Sequence, residues 1–150
     1  MAEIVTRSLL REAGSDQQVS VASAGTGDWH IGNPAHPDSV RALSAKGYDV
    51  SRSPAQQLTS SRLADYDLLI GLDPDNATDI NRMLRQRQAT GAPEVVLLRD
   101  FATGGARGLG VPDPYGQDQV AFDDALGLVE QPCRGLVDHL RQRLAGDVSR

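Results

Sequence analysis

The spacing of apolar and polar positions along this chain changes period several times, and each change marks an element. Residues 1–14 place Ala2, Val5, Leu9 and Ala13 on one stripe and Arg7 and Arg11 on another. That spacing predicts a helix, and Gly14 suits the left-handed residue that follows a last turn. No polar side chain precedes the stripe, so the first-turn N–H groups have nothing to cap them. The run Val19-Ser20-Val21-Ala22-Ser23-Ala24 predicts a short strand, ended by Gly25-Thr26-Gly27. Pro37 and Asp38 open a helix carrying Val40, Ala42 and Leu43, which stops at Gly47. A short helix is expected over 60–64. Residues 67–72 are almost continuously apolar, as in a strand buried on both faces. Asp73-Pro74-Asp75-Asn76 then turns into a helix with Ile80, Met83 and Leu84 inward, closed by Gly91. Arg82, Arg85 and Arg87 fall mostly on its outer face, the pattern of a solvated helix surface. Val95-Val96-Leu97-Leu98 predicts a second buried strand. Residues 99–119 form a Gly-rich loop, and a last helix runs over 120–144 with Leu126, Val129, Leu136, Val137 and Leu140 as its apolar side.

Strands alternating with helices predict an α/β fold, a three-layer open parallel sheet with helices on both faces, in one domain. Such sheets bind ligands beyond the carboxyl ends of their strands. Composition agrees: 39% hydrophobic but only 4% aromatic residues suit an aliphatic α/β core. A formal charge of −5 argues against a dedicated nucleic-acid binder. No apolar run reaches the ~18 residues a membrane span needs, and one cysteine makes no disulfide framework. The expectation is a cytoplasmic protein without nucleic-acid or membrane partners.

Four segments could carry chemistry. Asp113 stands between Pro112 and Pro114, two residues before Tyr115. The prolines stiffen the loop and hold the carboxylate in one direction, as a general acid requires. Taken alone, Pro-Asp-Pro is first of all ordinary turn chemistry. Ser23-Ala24-Gly25-Thr26-Gly27 lacks both G-x-G-x-x-G and Walker A spacing, so it is a weak phosphate-loop signal. Trp29 and His30 either wall a cleft or cover the edge of the core. Cys133 lies inside the last helix with His139, not Arg, six residues on. It is expected to be a small buried hydrophobe rather than a nucleophile. His36 and His139 have no metal-ligand spacing and are expected at the surface or an edge.

Taken together, the segments resemble the low-molecular-weight protein-tyrosine phosphatases. The likeness is carried by Met1-Ala2-Glu3, by Ser23-Ala24-Gly25-Thr26 with Trp29, and by 67–73 with Asn76. Val111-Pro112-Asp113-Pro114-Tyr115 and Cys133-Arg134-Gly135-Leu136 complete it. The resemblance implies that Asp113 is the general acid, protonating the leaving phenolate and then activating water against a cysteinyl-phosphate. It also implies that Trp29 and Tyr115 line a phosphotyrosine cleft, with Asp73 and Asn76 in supporting polar contacts. The implied substrate is a phosphotyrosine protein or a small phosphate monoester, with no cofactor and no metal.

The family's C-x5-R-S-P motif precedes its Met-Ala-Glu, and this sequence begins at that Met. The expectation is therefore a domain incomplete at its N-terminus, lacking its first, internal strand, the nucleophilic Cys and the phosphate-binding Arg. Such a chain should be inactive and should fold poorly alone, since an internal strand's apolar burial rivals a domain's net stability. A start codon assigned too far downstream is the simplest account. Two alternatives remain: a non-catalytic pseudophosphatase that binds a partner through the residual cleft, and an arsenate reductase of the same fold. The latter needs further redox cysteines, and only Cys133 is present.

Overall fold

The computed structural model describes residues 1–27, 31–50, 54–87, 91–105 and 107–147. Its helices are α1 (Ala2–Glu12), α2 (Pro37–Ala45), α3 (Pro74–Arg87) and α4 (Gln119–Asp147), and its strands are β1 (Leu68–Gly71) and β2 (Glu94–Leu97). Short 3₁₀ segments occupy Ser60–Asp65 and Leu98–Phe101. The two strands pair in parallel, with Leu68 opposite Glu94 and Gly71 opposite Leu97. The strand period of two sends Leu68 and Ile70 into one core and Leu69 into another.

The larger core lies between the sheet and α1, α2 and α4, around Val5, Leu10, Leu43, Phe122, Leu126 and Val129. The smaller joins Leu58, Leu63, Leu69 and Ile80 beneath α3 and the first 3₁₀ segment. Helices therefore cover both faces, and the three-layer α/β expectation holds. α1 has no side-chain cap at Met1, as its sequence predicted.

One expected strand is not formed. Residues 19–24 have no ladder, and only Gly25 makes an isolated parallel bridge, to Gln57. Val19 and Val21 still pack against the larger core. The apolar pattern was real, but a strand requires a neighbour to bond, and among the described residues no strand flanks the other edge of β1. A further difference is that the second strand ends at Leu97, and Leu98 begins a 3₁₀ turn instead.

α4 is the element against which α1, α2 and the 3₁₀ turn of Leu98–Phe101 pack. Thr6 Oγ1 donates to Cys133 Sγ at 3.3 Å, seating α1 on α4, and Cys133 is fully buried as expected. Burial pushes the Cys133 thiol pKa up, away from the thiolate. Gly135 lets the 3₁₀ turn of Leu98–Phe101 lie directly on α4: a Cβ there would sit 2.0 Å from the Phe101 carbonyl oxygen. After α2, Lys46 and the Tyr48 hydroxyl (2.9 Å) both donate to Glu130 on α4. Burial of Glu130 opposes its ionisation, but these two hydrogen bonds outweigh it and lower its pKa. Burial, and then the hydrogen bond to Glu130, push the Tyr48 phenol up to about 12.

The folded state thus holds the Tyr48 proton more tightly than the unfolded chain does. Its contribution to stability is complete below about pH 10 and is lost as pH rises through about 12. Urea melts of wild type and Tyr48→Phe between pH 8 and 12 should show the wild type losing more stability over that interval. Parallel curves would refute the assignment.

Candidate active site at the carboxyl end of β1

The candidate site forms where β1 ends. Asp73 follows the strand and caps α3: its Oδ1 accepts the Asn76 N–H at 2.6 Å, while Asn76 Oδ1 accepts the Leu72 N–H at 3.2 Å. This reciprocal cap occupies both residues. Asp73 and Asn76, expected as supporting polar residues, therefore fix the turn from strand to helix.

The loop carrying Asp113 runs against that turn. Val111 N–H donates to the Leu72 carbonyl at 2.7 Å, which continues the edge of β1 by one bond. Gly110 makes this approach possible. A Cβ on Gly110 would lie 2.9 Å from the Asp73 Cβ and 3.2 Å from the Pro74 Cδ. Two residues of the 3₁₀ turn hold the loop from behind: Arg99 Nη1 donates to the Gly110 carbonyl at 2.9 Å, and Asp100 Oδ1 accepts the Gly108 N–H at 2.8 Å.

Beyond Val111 the chain reaches Pro112-Asp113-Pro114-Tyr115. Asp113 Oδ1 accepts the Tyr115 N–H at 3.0 Å, an Asx turn, and Gln117 Nε2 donates to the Asp113 carbonyl at 3.0 Å. The carboxylate direction is therefore set by backbone as well as by the two prolines. Asp113 is exposed, not partly buried as general-acid chemistry would prefer, because its loop projects beyond the strand ends into solvent. Tyr115 is 65% exposed.

The structure brings Asp113 and Tyr115 together on one loop and places Asp73 and Asn76 at its base. Trp29 lies outside the described residues. Ser23-Ala24-Gly25-Thr26-Gly27 forms no anion cradle in its described contacts: Ser23 donates to Glu3, and Gly25 exchanges backbone bonds with Gln56 and Leu58.

Sequence reasoning missed His36. It lies at the surface edge as expected, its side chain 38% exposed, but its ring also stacks on Phe122 with centroids 4.8 Å apart and an interplanar angle of 11°. The Tyr115 ring meets it edge-on at 5.8 Å and 72°. The signal available beforehand was His-Pro-Asp at a helix start, where Nδ1 accepts the Asp38 N–H at 3.3 Å. His139 likewise packs on Phe101, at 5.3 Å. Among the described residues no cluster of His, Cys, Asp or Glu could hold a metal ion.

Replacing Gly110 by Ala should force the loop off the Asp73–Pro74 turn and weaken the Val111–Leu72 bond. Amide hydrogen exchange at Val111 should rise roughly tenfold, the value of one ordinary hydrogen bond. Unchanged exchange would show that the close approach does not hold the loop.

With this geometry in place, comparison with known proteins is informative. Residues 1–146 match the family model described as low molecular weight phosphotyrosine protein phosphatase. The low molecular weight protein-tyrosine phosphatase A of Mycobacterium tuberculosis is 38% identical over 146 residues, spanning 97% of this chain and 85% of that protein. The low molecular weight protein-tyrosine-phosphatase of Streptomyces coelicolor is 34% identical over 147 residues, spanning 97% of this chain and 88% of its own. The crystal structure of YfkJ from Bacillus subtilis matches with a TM-score of 0.83 at 27% identity, over 95% of this chain and 86% of that one.

Proposed function

The chain belongs to the low molecular weight phosphotyrosine protein phosphatase family, and on that premise we propose that the protein hydrolyses phosphotyrosine, with Asp113 as its general acid. The observation that carries the reading is the placement of Asp113. A carboxyl group sits on a braced loop just past the carboxyl end of β1, where open parallel sheets present their ligands. The Asx turn engages Oδ1 and so orients the carboxyl group.

In the first half-reaction a cysteine thiolate attacks phosphorus, the S–P bond forms and the P–O bond to the phenol breaks. Asp113 gives its proton to the departing phenolate oxygen. In the second, the Asp113 carboxylate takes a proton from water as that water attacks phosphorus, releasing inorganic phosphate and the thiolate. In this reading Tyr115 lines the aromatic side of the cleft, and Trp29 is given the same role by the family resemblance alone. Neither metal nor cofactor enters the scheme.

The 150 residues contain one cysteine, and it is not the nucleophile: Cys133 is buried in α4 against Thr6. In this reading the thiolate and the phosphate-binding Arg come from a strand and C-x5-R loop placed along the open edge of β1. These 150 residues do not contain that segment. By themselves they should leave aryl phosphates untouched. No helix among the described residues is long and apolar enough to cross a membrane, and the reading keeps the protein in the cytoplasm, where a thiolate stays reduced.

The test joins such a strand and loop ahead of Met1 and compares Asp113 with Asp113→Asn. Expected is a fall in kcat of about 10²–10⁴-fold on phosphotyrosine, and a much smaller one on an aryl ester whose phenolate leaves without a proton. Equal activity of Asn and Asp on phosphotyrosine would remove Asp113 from the mechanism. Phosphotyrosine binding without turnover in the joined protein would favour the pseudophosphatase alternative. Hydrolysis by the 150 residues alone would overturn the assignment of the nucleophile.

A further inference from the structure

We propose that His36 is a positioning residue: clamped on Phe122, its imidazole sets the Tyr115 ring and, through Tyr115, the loop that carries Asp113. The inference rests on the functional reading above for its consequence, but not for its geometry.

Tyr115 is 65% exposed, so little burial of its own holds the ring in place. The ring does meet the His36 ring, in a T-shaped contact at 5.8 Å and 72°. His36 is well suited to act as a fixed support. Its ring is stacked on Phe122, which is 2% exposed, and its Nδ1 accepts the Asp38 N–H at the start of α2. The two helix ends that carry this stack are themselves bound together. Gln119 Nε2 donates to the Asp38 carbonyl at 3.2 Å, and Arg41 donates to Gln119 Oε1 at 2.6 Å. The imidazole is thus immobilised by α2 and α4 before it touches the loop.

Transmission to the carboxylate is short. The same residue whose ring abuts His36 offers its N–H to Asp113 Oδ1 at 3.0 Å. If Tyr115 shifts, the hydrogen bond that orients Asp113 shifts with it. His36 does not reach the reacting atoms; it acts through Tyr115.

Two substitutions at His36 separate this role from simple helix capping. His36→Asn keeps a side-chain acceptor for the Asp38 N–H but removes the ring. His36→Phe keeps a ring on Phe122 but removes the acceptor. The readout is amide exchange and chemical shift over residues 113–117 in the isotope-labelled intact protein without substrate, alongside thermal melting. Positioning predicts that Asn preserves melting but raises exchange at the Tyr115 amide, roughly two- to tenfold, as expected for losing one aromatic edge contact. Phe should restore wild-type exchange at Tyr115 even if α2 is weakened. Wild-type exchange in the Asn variant, or loop release in the Phe variant, would overturn the proposal.

Should a His36 variant fail to fold, the reciprocal change answers the same question. Tyr115→Leu at the exposed position must move the His36 ring protons, and an unmoved spectrum rejects the contact. None of these outcomes depends on turnover, so phosphatase activity can fail while His36 still positions the loop, or the reverse.

Discussion

The burial of one face of α4 is the constraint on which the rest of the molecule depends. Phe122, Ala125, Leu126, Val129, Cys133, Leu136 and Val137 form a single buried stripe along that helix, and the larger core is assembled around it. Helix α1 is seated through Thr6 on Cys133, and the segment after α2 through Lys46 and Tyr48 on Glu130. The 3₁₀ turn is seated through Phe101 on Gly135. Because the turn rests on α4 and Arg99 extends from it to Gly110, the packing of the helix is passed on to the loop that presents Asp113. A fault at Gly135 would therefore be felt at the site, although no side chain there faces substrate.

The site is built by two fixed supports with a loop between them. At one end, the Asp73–Asn76 cap defines the strand-to-helix turn, and Gly110 permits backbone to lie on it. At the other, α2 and α4 hold the His36–Phe122 stack beneath Tyr115. Neither support is chemically active. Their value is that a short loop fixed at both ends loses little further freedom on binding, so a carboxyl group on it can face a leaving group without a large ordering cost.

The helices and both paired strands were legible in the sequence, because their signals are local. A stripe at helical spacing predicts α1 with Gly14 after it, and a continuous apolar run predicts β1. Residues 19–24 show the limit of such reading: a run of strand-like residues states a capacity, while a strand is a pairing between distant segments. The site divides along the same line. Asp113 and Tyr115 were singled out from two prolines and a resemblance, since turn chemistry is written in consecutive residues. His36 was missed because the ring contacts that define it are with Phe122 and Tyr115, 86 and 79 positions away, and no local pattern encodes a stack.

Charge gives the proposed division of labour its physical basis. A phosphate monoester is an anion approaching a chain of formal charge −5, and the acid that must serve it is itself a carboxyl group. Two cations that brace the loop and its supports are already engaged: Arg99 with the Gly110 carbonyl, Arg41 with Asp38 and Gln119. These groups build the scaffold rather than bind an anion. A site of this composition can deliver a proton to a leaving oxygen, but stabilising the transferring phosphoryl group requires separate donors aimed at its equatorial oxygens. Proton delivery and anion binding are therefore separate roles, the first carried by the braced Asp113 loop and the second by the C-x5-R loop of the proposed mechanism. Separation has a further advantage. The anion-binding donors can then be aimed at the phosphoryl oxygens alone, while the Asp113 loop is braced independently by backbone bonds and prolines.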